Sequence, residues 1–114
     1  MNIIPMYKNK YNARKVYVKG MMFDSKKEAE RYLILLDMER RGEIQDLERQ
    51  VKFEILEGNE FFRPVHYIAD FQFIKDGQTH IIDVKGMRKG SAYQLFKIKQ
   101  KIFYDRYKIL IEEI

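Results

Sequence analysis

Two hydrophobic periods alternate along the chain. Lys15 to Phe23 reads apolar and polar in turn around Lys19-Gly20, which predicts a short hairpin. Ser25-Lys26-Lys27-Glu28 then has the form of a capping box, followed by Ala29, Tyr32, Leu33, Leu36 and Arg40 at helical spacing. With Gly42 as the stop, the spacing predicts a helix over 25–41. From Ile44 to Leu56 the pattern returns to alternation at Val51, Phe53 and Ile55, and Glu57-Gly58-Asn59-Glu60 reads as a turn. Val65 to Ile74 is a stronger strand, Asp76-Gly77 a two-residue hairpin loop, and Thr79 to Lys85 the returning strand. Beyond a Gly- and Lys/Arg-rich loop over 86–91, Ser91 is a candidate cap for a helix over 92–106. Its inward side would carry Leu95, Ile98 and Ile102. Lys108 to Ile114 closes the chain as a strand. Hairpin, helix, strands, helix and strand make a mixed sheet flanked by helices, of the α/β or α+β class.

Composition narrows the chemistry. The 114 residues suit one domain; 46% are hydrophobic and 14% aromatic, enough for a packed core. No apolar run approaches the roughly 20 residues of a membrane helix, and the N-terminus lacks the form of a signal peptide. The expectation is a soluble, cytoplasmic protein with no membrane partner. Cysteine is absent, so any metal must be held by oxygen or by the two histidines. The net charge of +5 is uneven. Residues 1–20 hold five basic groups and no acid, and residues 85–108 hold eight against Asp105, so the rest of the chain is acidic. Two basic segments, with Tyr7, Tyr11, Tyr17 and Tyr93 available for stacking, suit a polyanion such as nucleic acid; a plain solvated surface is the alternative. Residues 1–14, polar and aperiodic, read as a basic N-terminal arm.

The main candidate site follows from counting. A two-residue Asp76-Gly77 loop sets Lys75 against Gln78, Ile74 against Thr79, Gln72 against Ile81 and Asp70 against Asp83. Facing Cβ atoms lie roughly 4.5–5.5 Å apart, where like charges repel. Strict alternation puts Lys85 on the face of Asp83, and Tyr67, Ala69, Phe71, Phe73, Ile82 and Val84 on an opposite, apolar face. A facing carboxylate pair is what a hard divalent cation such as Mg²⁺ or Mn²⁺ needs, and an adjacent lysine suits orientation of a water or charge stabilisation at phosphate. The Asp-x-Lys tripeptide is weak by itself and recurs at Asp24-Ser25-Lys26; the strand context raises it. Glu28 is a third acid, with capping as its plain reading. Gln50 could bond a phosphate or water. Lys97, Lys99 and Lys101, with Arg88 and Lys89 in the preceding loop, are the candidate DNA phosphate contacts. His66 stands on the order of 13 Å along the strand from Asp70, and His80 faces the other side, so neither is a favoured ligand.

Tyr67-Ile68-Ala69-Asp70-Phe71 followed by Asp83-Val84-Lys85-Gly86, with Glu28 upstream, resembles the PD-(D/E)XK nuclease superfamily. The segments 23–29, 44–53 and 96–101 are similar to small phage and prophage proteins described as endonucleases or as Holliday-junction-resolvase-like. This resemblance implies a restriction-endonuclease-like mixed sheet of four to five strands flanked by helices. It also implies a Mg²⁺ or Mn²⁺ site on Asp70, Asp83 and Glu28, a catalytic Lys85, and DNA as substrate. Ala69 stands where the superfamily nominally has proline, and Asp83 where Glu is commoner. The resulting expectation is a metal-dependent DNA endonuclease, with branched DNA such as Holliday junctions among its candidate substrates. The alternatives are a non-catalytic nucleic-acid-binding module of the same fold and a phage protein that binds a host protein. A resolvase would be a two-fold homodimer, for which Phe61, Phe62 and Tyr104 are candidate interface residues.

Overall fold

The computed structural model describes residues 4–8 and 14–114. A three-stranded antiparallel sheet is built from β1 (Ile4–Lys8), β2 (Arg14–Val18) and β3 (Met21–Phe23) in the order β1-β2-β3. The Lys19-Gly20 turn sets Val18 against Met21, as expected, with both turn residues at positive φ. Ile4–Lys8 lies within the stretch read as an arm and pairs as a strand; residues 1–3 and 9–13, with Tyr11, lie outside the described residues.

Helix α1 (Lys26–Arg40) starts and stops where its sequence signals stand. The Ser25 hydroxyl accepts from the Glu28 N–H at 3.1 Å, and Glu28 Oε2 accepts from the Asp24 N–H at 3.1 Å, one residue before the cap. At the other end Gly42 takes φ +77, Gly42 N–H donates to the Glu39 carbonyl, and Glu43 N–H donates to the Met38 carbonyl. These paired bonds satisfy carbonyls the last turn leaves open, and glycine adopts the left-handed turn without Cβ strain.

The second sheet has four strands in the order β4-β5-β6-β7 and is mixed. β4 (Gln45–Leu56), β5 (Val65–Lys75) and β6 (Gln78–Asp83) are antiparallel neighbours, and β7 (Glu112–Glu113) runs parallel to β6. The counted hairpin register is observed: Lys75 faces Gln78, Ile74 faces Thr79, and Gln72 faces Ile81. Two elements are shorter than expected. β6 ends at Asp83, and β7 keeps two residues, continued by Ile114 N–H to the Asp83 carbonyl and Lys85 N–H to the Ile114 carbonyl. The described residues therefore form an α+β fold, with a four-stranded mixed sheet, a three-stranded sheet and two helices.

Helix α2 (Ser91–Tyr107) corrects two expectations. Gly90, at φ +90, occupies the N-cap position without a side-chain bond, so Ser91 is the first helical residue and not the cap. The helix buries Phe96, Gln100 and Phe103, while Leu95 and Ile98 are more than half exposed. Both stripes have helical spacing. The aromatic one wins because Phe103 meets Phe53 and Tyr67 edge-on at ring separations of 5.0 and 5.8 Å, and Gln100 is satisfied by the Ile111 carbonyl at 2.8 Å.

The core has two parts. Val16, Val18, Phe23, Phe71, Phe73 and Ile82 pack with Leu33 and Leu35 of α1; Ile55, Tyr67, Ala69, Ile81 and Ile111 pack with Phe96 and Phe103 of α2. Ile81 and Ile82 are neighbours that alternation sends to opposite faces. On β5 the buried positions change cluster across Asp70: Tyr67 and Ala69 go to α2, Phe71 and Phe73 to α1. The single apolar face expected for that strand is thus divided. Gln50, which the register of β4 sets between the partners of Ala69 and Phe71, takes φ +54, a left-handed conformation that marks a local twist beside the change.

Candidate functional site: an acidic pair with lysine and tyrosine

The change of cluster at Asp70 leaves polar groups between two dry clusters. The ordered ladder reaches Phe71 and Ile82, and one further step sets Asp70 beside Asp83. Asp70 and Asp83 perturb each other's titration, as do Asp70 and Glu28, so the three carboxyls are near neighbours. Asp70 is thus the middle of a row of three acids. Each is partly or largely buried, and Glu28 is only 3% exposed.

Such a row holds its protons tightly. Burial, followed by the charge of Glu28, pushes Asp70 up to about 6. Burial, followed by hydrogen bonding with Asp70 and its charge, pushes Asp83 up to about 6. Glu28 is raised as well, chiefly by burial. Specific bonds hold the row in place. Asp70 Oδ2 accepts from the Val84 N–H at 2.8 Å, and Asp83 Oδ2 accepts from the Tyr67 hydroxyl at 2.8 Å. Glu28 Oε1 accepts from Gln50 Nε2 at 3.0 Å, so the left-handed turn of β4 delivers Gln50 to this carboxylate.

Lys85 completes the group. Its Nζ lies 3.4 Å from Asp83 Oδ2 and 3.5 Å from the centre of the Phe96 ring, so the ammonium is held between a carboxylate and an aromatic face. The Lys85 carbonyl accepts from Lys27 Nζ at 2.6 Å, which ties the loop after β6 to the first turn of α1.

The residues expected from sequence fall into two sets. Glu28, Asp70, Asp83, Lys85 and Gln50 come together. Lys97 and Arg88 instead bind Glu113, at 2.9 and 3.5 Å. The Tyr93 hydroxyl also donates to Glu113, and the Tyr93 bond is the leading cause that holds this carboxyl well below its usual range. Lys89 and Lys101 are exposed, whereas Lys99 is half-buried and lines a groove beside Asp83. His66 stands at that groove; His80 stacks on Phe73 and lies 2.8 Å from Glu112, away from the acids.

Sequence reasoning missed Tyr67 and Glu113. Tyr67 is expected on the apolar face and is buried there, yet its hydroxyl reaches Asp83, expected on the other face. Its only sequence signal was a hydroxyl placed in an apolar stripe. Glu113 carried no motif; its partners arrive from α2 and the preceding loop.

The profile of one protein family, described as a protein of unknown function (DUF1064), matches residues 8–113. The chain belongs to the DUF1064 family. Glu28, Asp70, Asp83 and Lys85 all lie within the stretch that matches DUF1064. No curated protein and no solved structure matches this DUF1064 chain. Among its described residues no helix is long and apolar enough to cross a membrane.

Acidic pairs of this form suit a cation with few protein ligands. Among the described residues no set of three or more His, Asp or Glu side chains closes into an ion shell by itself. Both Glu28 oxygens already accept hydrogen bonds, so the donors most open to an ion are on Asp70 and Asp83. Two carboxylates with water and phosphate oxygens in the remaining positions match the habits of Mg²⁺, and two neighbouring carboxylates with raised proton affinity gain from a shared positive charge.

Proposed function

We propose that this DUF1064 protein is a metal-dependent DNA endonuclease of the restriction-endonuclease-like type. The observation that carries the reading is the hairpin register that sets Asp70 next to Asp83, with Lys85 Nζ 3.4 Å from Asp83. Asp70 and Asp83 would hold Mg²⁺ or Mn²⁺, and Glu28 would support Asp70 from behind while Gln50 fixes Glu28. A bound divalent ion supplies a lowered water pKa and neutralises charge at the phosphate. Lys85, fixed over Phe96, would orient the attacking water and stabilise charge on the phosphoryl oxygens. The basic arm and the exposed Lys89 and Lys101 would contact neighbouring phosphates.

The test is cleavage of labelled four-way junction, flap, single-stranded and duplex DNA in Mg²⁺ and in Mn²⁺, with wild type and Lys85→Ala. The expected result is cutting of at least one substrate by wild type and a loss of at least about 100-fold in Lys85→Ala. A wild type that cuts none of them would overturn the reading. The Lys85–Asp83 contact also suits a second reading, a nucleic-acid-binding module in which the lysine only neutralises a structural acid. That reading expects Asp83→Ala to change stability and leave salt-sensitive DNA binding as the sole function. A homodimer through the exposed Phe61 and Phe62 would serve paired cuts, and sedimentation tests it directly.

A further inference from the structure

Beside Asp83 a groove of about 310 Å³ opens between β5 and α2. It is small for a macromolecule and lies at the lower end of ligand pockets. Its walls have two characters. Ile68 and Leu95, each 53% exposed, stand on β5 and α2 respectively with Ala92 beside Leu95, while Phe96 and Tyr67 line it from the buried side. Lys85 and Lys99 line the same groove, as does His66, against Asp83 as its one acid. Helical spacing explains the α2 side: positions 92, 95, 96 and 99 fall on one face, which places Lys99 here and leaves Lys97 for Glu113.

Apolar walls with one lysine beside the acid and a second lining the groove match one unpaired nucleotide. A duplex shows a protein its sugar-phosphate edges and hides base faces within the stack, so Ile68 and Leu95 would meet nothing apolar. An unpaired base offers two apolar faces, and its phosphate meets ammonium groups. We propose that the groove between Ile68 and Leu95 seats an unpaired nucleotide next to the phosphate that a divalent ion on Asp70 and Asp83 would hold, so that the substrate is DNA with a single-stranded element. This deepens the nuclease reading and rests on it for the position of the phosphate. The base is gripped by Ile68 and Leu95, and Lys99 meets the phosphate on the far side.

Binding in Ca²⁺, a divalent ion offered in place of Mg²⁺ so that Asp70 and Asp83 keep a positive charge, tests the groove apart from cleavage. Fluorescence anisotropy would compare a flap DNA with the same flap carrying an abasic residue at each unpaired position in turn. Wild type should lose roughly tenfold in affinity at one position near the branch. The pair Ile68→Ser and Leu95→Ser, both exposed sites, should abolish that discrimination while duplex affinity changes less than twofold. Equal binding of base and abasic flaps by wild type at every position overturns the proposal, as does an equal loss for duplex and flap in the double variant. Competition by free thymidine monophosphate that removes the discrimination without displacing the flap supports the nucleotide site; displacement of the whole flap by the monomer shows a free-nucleotide site and overturns the strand assignment. Cleavage in Mn²⁺, measured in parallel, separates the two claims. Base discrimination without cutting sustains the groove and ends the nuclease reading, whereas cutting without base discrimination does the reverse.

Discussion

Replacing Asp70 by Asn should make the metal-free protein more stable at neutral pH. Asp70 is the middle acid of a row, and its charged form is disfavoured by burial and by Glu28, so its carboxyl titrates near 6 in place of an ordinary 3.8. A shift of that size corresponds to about 3 kcal/mol at about 1.4 kcal/mol per unit, an upper figure because the neighbouring acids share the cost. The sign follows from the raised value. Folding has the full benefit below the unfolded pKa, where Asp70 carries its proton in both states, and loses it as pH rises through about 6. Asparagine stays neutral throughout, and its carbonyl oxygen can still accept from the Val84 N–H. The gap between Asp70→Asn and wild type should therefore be small at pH 4 and grow to about 1–3 kcal/mol above pH 7. Urea unfolding from pH 4 to 8 in chelator reads it directly. A gap that does not change with pH, or an Asn variant less stable than wild type at pH 8, would show that Asp70 is not held protonated by its neighbours. The same variant should lose cleavage, so stability and function move in opposite directions.

Phe103→Ala should cost about 3–5 kcal/mol by urea unfolding, because its ring is wholly buried among Phe53, Tyr67 and Tyr107. Gln50→Ala should cost about 1 kcal/mol through the lost bond to Glu28, and Gln50→Gly should be more stable than Gln50→Ala since it relieves the left-handed φ; the reverse order would deny strain there. Glu113→Gln removes an acid bound to Lys97 and Arg88 and should steepen the salt dependence of DNA binding by about one unit of slope, whereas an unchanged slope would place those cations away from DNA.

Much of the site was legible because its signals are local. Ser25 and Glu28 declared a helix start, and Asp76-Gly77 fixed a register that carries through to Phe71 and Ile82 and puts Asp70 beside Asp83 one step on. Lys85 followed from its distance to Asp83 in sequence. What stayed hidden depends on twist and on distant partners. Alternation along β5 assumes one face throughout, yet the buried residues change cluster at Asp70, and this brings the Tyr67 hydroxyl to a carboxylate expected on the other side. The inward face of α2 could not be read from spacing because two stripes have the same period; the rings of Phe53 and Tyr67 decide between them. The engagement of Lys97 and Arg88 by Glu113 likewise needs the parallel pairing of β7 with β6, which no short-range pattern encodes.

The most direct test of the central claim is calorimetric titration of Mn²⁺ into wild type and Asp83→Ala, with cleavage of a four-way junction, a flap and the matching duplex measured on the same samples. Wild type should bind the metal and cut, and Asp83→Ala should do neither. No metal binding and no cutting by wild type, with or without DNA present, would contradict that claim.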